Sequence, residues 1–274
     1  MMALNICYII DYLESNYPRD QNYIIRYMLK RGHEVTVITS EDEKFKKYDM
    51  VIFPRAEILR APKLGRIRSA QLFMHPSMLT YLAKRFDVVH SFTFFTFSSL
   101  YAILFRAKVR MIRSEIGPPY GMNFKKAKCS LYRTLIEVYK RAYDYYTVYN
   151  ELEEQSLELL GFSKEKIVIL PPMIDFNTFS SCTKTASGDK AEKLIIGIIA
   201  RISPEKGLHK LIPFAKKLVR RAKVSIKNFE ILLAGRIDNE KYAREVLTGL
   251  HRILPENFKY IGEIAPPYKF YKQV

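Results

Sequence analysis

The sequence predicts an α/β protein made of two doubly wound domains, the second of them incomplete. Three observations carry this reading. Before Pro171, short apolar runs alternate with amphipathic segments at least six times, the pattern of parallel strands joined by crossover helices. A second series of the same kind starts at Leu194, after the polar, small-residue stretch Ser180–Lys190, which reads as a linker or surface loop. That second series has about three strands where a complete doubly wound half needs about five or six. A parallel sheet that stops there leaves an apolar edge of a kind proteins usually cover. The expected domains are 1–175 and 176–274.

In chain order, NICYII (Asn5–Ile10) is a buried strand. A helix follows whose apolar face includes Ile24, Ile25, Tyr27, Met28 and Leu29. Lys30-Arg31-Gly32 closes it, with cations in the last turn and glycine placed for the carboxyl-terminal cap. HEVTVIT (His33–Thr39) is the next strand, parallel to the first. Further strands are expected at 49–53, 87–90, 109–113, 145–148 and 167–170, and helices at 70–85, 96–106, 125–142 and 152–160. Arg55–Arg68 reads as an irregular basic segment. In the second domain, Phe229–Ala234 and Phe258–Ile261 are strands and Tyr242–Leu254 is an amphipathic helix. Pro266-Pro267-Tyr268 opens another helix, with the chain stopping just inside it.

The stretch richest in chemistry is LIIGIIARISPEKGLHKLIPFAKK. Leu194–Ala200 is an uninterrupted apolar run, which predicts a strand buried on both faces. The polar turn from Arg201 to Gly207 follows, and then Leu208, Leu211, Ile212, Ala215 and Leu218 recur at helical spacing. The turn therefore lies at the carboxyl end of a strand, the edge where open α/β sheets bind ligands. Arg201 and Lys206 flank it, and the backbone N–H groups of the next helix are expected to face the same spot. That set suits an anion such as a diphosphate; it also suits a solvated loop with ordinary surface charge. Pro213 should kink or delay the helix.

The chain has 274 residues and a formal net charge of +17, from 45 basic and 28 acidic side chains. Between Arg55 and Arg141 there are 17 Lys or Arg against 4 Asp or Glu, a surplus of 13. A surface of that density attracts phosphates, on an anionic membrane or on nucleic acid. No nucleic-acid motif accompanies it, so a nucleic-acid partner is not expected. The longest nearly apolar run, 92–105, has 14 residues, short of the ~20 that span a bilayer as a helix. Cys7, Cys129 and Cys182 lack metal-ligand spacing and read as reduced thiols. With no signal peptide visible, the expected location is cytoplasmic, peripheral on the inner face of the cell membrane.

Several stretches in order resemble glycosyltransferase family four, which has the GT-B fold of two Rossmann-like domains. They are the opening strand, Gly32-His33-Glu34-Val35-Thr36-Val37, Asp87-Val88-Val89-His90, Ile169 through Asp175, Ala200-Arg201 through Lys206-Gly207, and Leu233-Ala234-Gly235. Each is weak alone; their order and spacing are specific. The resemblance implies transfer of a sugar from a nucleotide-diphosphate sugar to an acceptor, with retention and without a metal or other cofactor. The acceptor would bind the first domain and the donor the second. Arg201, Lys206 and Gly207 are similar to the family's donor-phosphate loop and would offset charge on the departing diphosphate.

Two departures accompany it. The family's Glu-x7-Glu motif lies beyond the matched region, so the chain is expected to be carboxyl-terminally truncated. A second chain completing the donor domain is then a candidate partner. The second departure is Phe92, which stands where many members have histidine. His90 either substitutes for it catalytically or packs at a strand end, and Glu115 is either a substrate ligand or the partner of Arg113. The leading expectation is a membrane-associated glycosyltransferase acting on a lipid-phosphate acceptor. The alternative is an inactive relative that binds a nucleotide sugar or a partner chain.

Overall fold

In the computed structural model, the described residues are 2–10, 13, 19–41, 43–67, 70–73, 86–92, 110–114, 130–174, 176–180, 194–221, 229–264 and 267–271. The chain divides into two compact units, Met1–Ile174 and Asp175–Val274.

The first unit opens with β1 (Asn5–Ile10), α1 (Asp20–Lys30), β2 (Glu34–Ser40), α2 (Glu43–Ile52) and β3 (Glu57–Ala61). A hairpin of β4 (Lys63–Ile67) and β5 (Ala70–Phe73) follows. Then come β6 (Val88–Phe92), β7 (Arg110–Ser114), α3 (Ser130–Ala142), β8 (Tyr145–Val148), α4 (Glu151–Leu159) and β9 (Ile167–Ile169). Seven of these strands form one parallel sheet in the order β3-β2-β1-β6-β7-β8-β9. β1 lies inside the sheet because its side chains are apolar on both faces. Ile6, Tyr8 and Ile10 pack with Ile24, Ile25 and Val37, while Cys7 and Ile9 pack with Ile38, Val89 and Tyr139.

The ends of α1 and α4 are set by local chemistry. Gly32 takes φ +83°, which glycine alone adopts at little cost. Its N–H then reaches Leu29 O and that of His33 reaches Met28 O, a Schellman closure. Asn150 caps α4 by accepting the N–H of Glu153 at 3.0 Å.

Three sequence expectations fail in this unit. Residues 49–52 are the end of α2, not a strand. Met50 and Val51 are 70% and 74% exposed, and the short apolar run fits either period. The third strand is instead Glu57–Ala61, within the segment expected to be irregular. It is an edge strand, mostly half-buried, so it carries only a weak apolar pattern. Residues 70–73 form a strand antiparallel to β4, not the start of a helix; pairing with an adjacent segment overrides helical spacing across so few residues. The helix expected at 96–106, the Gly117-Pro118-Pro119 loop and most of the 180–190 linker lie outside the described residues.

The second unit contains α5 (Phe176–Ser180), β10 (Leu194–Ile199), α6 (Leu211–Arg221), β11 (Phe229–Ala234), α7 (Glu240–Ile253), β12 (Phe258–Tyr260) and α8 (Tyr268–Tyr271). Its described sheet is parallel, in the order β10-β11-β12. The strand buried throughout is β11. β10 is an edge, with Leu194 66% exposed and its isoleucines half-buried. The expectation of a strand buried on both faces therefore fails for β10, because an all-apolar run does not reveal whether a neighbour lies alongside. Pro213 falls in the first turn of α6, where its missing N–H costs little. The helix is delayed rather than kinked, and a 3-10 turn, Leu208–Lys210, precedes it. Among the described residues, no helix is long and apolar enough to cross a membrane.

Candidate functional site

In the first unit, strand order reverses between β1 and β6. In open α/β sheets such a reversal of strand order is where ligands bind. His90 lies on β6, two residues short of its end, in register with Tyr8 of β1. Its ring stacks on Phe92 at 4.5 Å and lies 5.3 Å from Tyr8, and it is 6% exposed. Burial disfavours the imidazolium and lowers its pKa to about 3. His90 is therefore a neutral ring within the strand. Glu115 follows β7 directly but lies outside the described residues.

Next to this edge, the Tyr149 hydroxyl donates to Asp20 at 2.5 Å, joining the residue after β8 to the start of α1. The Tyr149 N–H donates to Glu153 at 2.8 Å. Burial, and then the Asp20 carboxylate, raise the phenol's pKa. Ser91 and Tyr143 share a buried hydrogen bond of 3.1 Å that ties β6 to the residue after α3.

In the second unit, the loops leaving β10 and β11 are laced together. The N–H of Ala200 donates to Ala234 O, that of Ile202 to Arg236 O, and that of Asp238 to Ile202 O. This backbone scaffold fixes where Arg201 emerges. Arg201 is half exposed, donates to Asp238 at 2.7 Å and lies 3.5 Å from Glu205. Pro204–Lys206 forms a 3-10 turn, closed by Gly207 in the left-handed region at φ +66°. The turn brings Glu205 within 3.5 Å of Arg201. The Ser203 hydroxyl (2.6 Å), its own backbone N–H, and then Arg201 and Lys206 hold that carboxyl below its ordinary pKa. Lys206 is exposed.

The helix amides expected to face an anion are largely engaged elsewhere. Lys206 N–H donates to Ser203 O, Gly207 N–H to Pro204 O and Lys210 N–H to Gly207 O. The N–H of His209 donates to the Tyr242 hydroxyl at 2.9 Å. An anion here would depend chiefly on the side chains of Arg201 and Lys206.

Arg236 and Asp238 were missed in the sequence. Arg236 Nε lies 2.8 Å from Asp238, on the oxygen not used by Arg201. The Arg236 guanidinium, and then that of Arg201, hold the Asp238 carboxyl below its ordinary range. The available signal was that Arg236 follows β11 at the same remove as Arg201 follows β10.

The profile of Glycosyltransferase Family 4 matches residues 22–178. No curated protein matches the chain significantly. Among solved structures, HepE from Anabaena in complex with UDP and glucose is similar at TM-score 0.65 and 14% identity, over 96% of this chain and 70% of that one. A glycosyltransferase from Rickettsia africae is similar at TM-score 0.68 and 16% identity, over 98% and 71%. UDP-GlcNAc 2-epimerase from Methanocaldococcus jannaschii is similar at TM-score 0.55 and 14% identity, over 98% and 76%. At such identities the likeness shows the fold alone, here the GT-B fold, and an epimerase among the neighbours makes the same point. The profile covers more than half of the sequence, and the chain belongs to glycosyltransferase family 4.

Proposed function

We propose that this enzyme moves a sugar from a nucleotide-diphosphate sugar to an acceptor, with the donor diphosphate held by the loop leaving β10. The observation that carries the reading is the placement of Arg201 and Lys206 on one short turn at a strand's carboxyl end, with backbone fixed by the lacing to the β11 loop. In such a transfer, the bond from the anomeric carbon to the diphosphate oxygen breaks and charge builds on the departing diphosphate. Fixed cations there stabilise the transition state more than the ground state. Gly207 lets the turn close before the 3-10 segment begins. The donor class is supported by HepE, whose structures contain UDP and UDP-glucose.

The finer reading is retention at the anomeric carbon, with leaving-group stabilisation by Arg201 and Lys206 rather than by a metal. The first domain would hold the acceptor, with Glu115 and His90 as its candidate residues. Buried and neutral, His90 would serve as a hydrogen-bonding or packing group within the strand, not as an acid. A lipid-phosphate acceptor at the inner face of the membrane fits the surplus of 13 positive charges between residues 55 and 141. Among the described residues β10 lies at one end of its sheet, a position that suits a further strand from a completing chain.

The test incubates purified protein with radiolabelled sugar nucleotides and follows release of free sugar or transfer to a lipid-phosphate extract. Turnover that falls at least tenfold in Arg201→Ala and Lys206→Ala supports the reading. UDP binding without turnover of any donor would favour an inactive nucleotide-sugar-binding relative. Turnover untouched by both substitutions would remove the donor role from this loop.

A further inference from the structure

Arg201 and Arg236 are opposite one another on neighbouring chain segments. Ile199 is in register with Ala234 and Ile202 bridges Ile237, so the two arginines occupy the matching position between those pairs. Like charges set opposite each other on adjacent strands repel. Here Asp238 sits between them, one carboxylate oxygen 2.7 Å from Arg201 and the other 2.8 Å from Arg236. Asp238 and Glu205, which lies 3.5 Å from Arg201, together offset two of the three cations Arg201, Lys206 and Arg236, so the loop cluster keeps a formal positive charge. Both arginine side chains remain half exposed, at 50% and 53%, so an incoming anion can reach them. Their backbones do not drift, because Ile202 N–H donates to Arg236 O and Asp238 N–H to Ile202 O. Two adjacent guanidinium forks match an anion with several oxygens and more than one charge.

We propose that Arg236 is a third cation of the diphosphate site, beside Arg201 and Lys206, and that Asp238 is the positioning residue that holds the two guanidiniums side by side. The proposal rests on reading the Arg201–Lys206 loop as the donor-diphosphate site, and it adds a contact from the β11 loop. Arg236 would fork onto phosphoryl oxygens that Arg201 alone cannot span. Asp238 keeps both side chains aimed at one place, which lowers the conformational cost of binding.

The experiment measures affinity for UDP and, separately, for inorganic pyrophosphate, by calorimetry at fixed ionic strength. It compares the wild-type chain with Arg201→Ala, Lys206→Ala and Arg236→Ala. Arg244→Ala, an exposed position on α7, controls for net charge. The expected result is a loss of about tenfold for Arg236→Ala with both probes, the scale of one charge-assisted hydrogen bond, and little change for Arg244→Ala. If Arg201→Ala and Lys206→Ala weaken binding while Arg236→Ala matches the control, the third cation is wrong and the loop reading stands. If none of the three weakens binding, the loop reading fails and this inference with it. In an Asp238→Ala background, removing Arg236 should cost markedly less than it does alone. Full additivity would overturn the positioning role.

Discussion

A Cβ placed on Gly235 would lie 1.8 Å from the carbonyl oxygen of Ala200. The two loops that carry Arg201 and Arg236 therefore cross at a contact only glycine permits, and Gly235 also holds φ +149°. Gly235→Ala should destabilise the second unit by about 3 kcal/mol or more, because steric overlap and a positive φ add. Gly32→Ala is the contrast. Its φ is +83°, but a Cβ there meets nothing within 4 Å, so it should cost only about 1–2 kcal/mol. Urea titrations of the two variants test the ordering, and equal losses would mean that the Ala200 contact relaxes freely.

Arg201→Ala should leave the fold nearly untouched, within about 0.5 kcal/mol, because its partners are exposed. Donor KM should nevertheless rise at least about tenfold. Arg201→Lys should recover only part of that, since an ammonium cannot fork onto Asp238 and phosphate together. Steady-state kinetics beside a thermal melt separates the two effects. A large fall in melting temperature would assign Arg201 to structure.

The contrast between β11 and β10 shows what the residues could and could not reveal. β10 is apolar throughout and β11 carries Glu230, yet only β11 is buried throughout, because burial along a strand depends on whether it has neighbours on both sides. β1, β8, β11 and the Gly32 closure were legible because composition, period and cap agree at those points. β3 was not, since a half-buried edge strand with Glu57 and Arg60 in it has little apolar pattern. At the candidate site, Arg201 and Lys206 stand out from the loop alone. The Arg201–Asp238–Arg236 triad does not, because it exists only once the β10–β11 register brings residues 35 and more positions apart into contact. The helix amides are less available than the spacing suggests because the local 3-10 turns take three of them and a distant side chain a fourth. Tyr242, which takes the His209 N–H, comes from α7.

Arg60 and Asp49 form a two-point ion pair within the first unit. Arg60 Nε and its second terminal nitrogen each lie 2.8 Å from an Asp49 oxygen, and the side chains are 7% and 8% exposed. A third contact runs from Arg60 to Ser40 O at 3.3 Å, so the pair pins α2 and β3 to the end of β2. Asp49→Ala strands a buried guanidinium and should cost about 3–5 kcal/mol, whereas replacing both residues with Leu and Met should cost far less. Denaturant unfolding of the single and double variants checks this. A double variant as unstable as Asp49→Ala would show that packing volume, not the uncompensated charge, sets the cost.

His90 makes the first unit sensitive to acid in a defined direction. Its pKa falls to about 3 in the folded chain because burial penalises the imidazolium, against about 6.5 when exposed. Between those values the unfolded chain binds a proton that the folded chain does not, so this term favours unfolding as pH falls. Above about pH 6.5 both forms are neutral and the term vanishes. On going down from there, His90 should remove stability at up to about 1.4 kcal/mol per pH unit until the folded pKa is reached. His90→Phe replaces the ring with one that stacks on Phe92 but does not titrate, and should flatten that slope by comparison with wild type. The measurement is stability by urea at pH 7.0, 6.0 and 5.0. Identical slopes in the two proteins would mean that the imidazole charges in place. Unchanged donor turnover from pH 6 to 8 in wild type would further agree with a neutral His90, because no ionisation of this ring falls in that window.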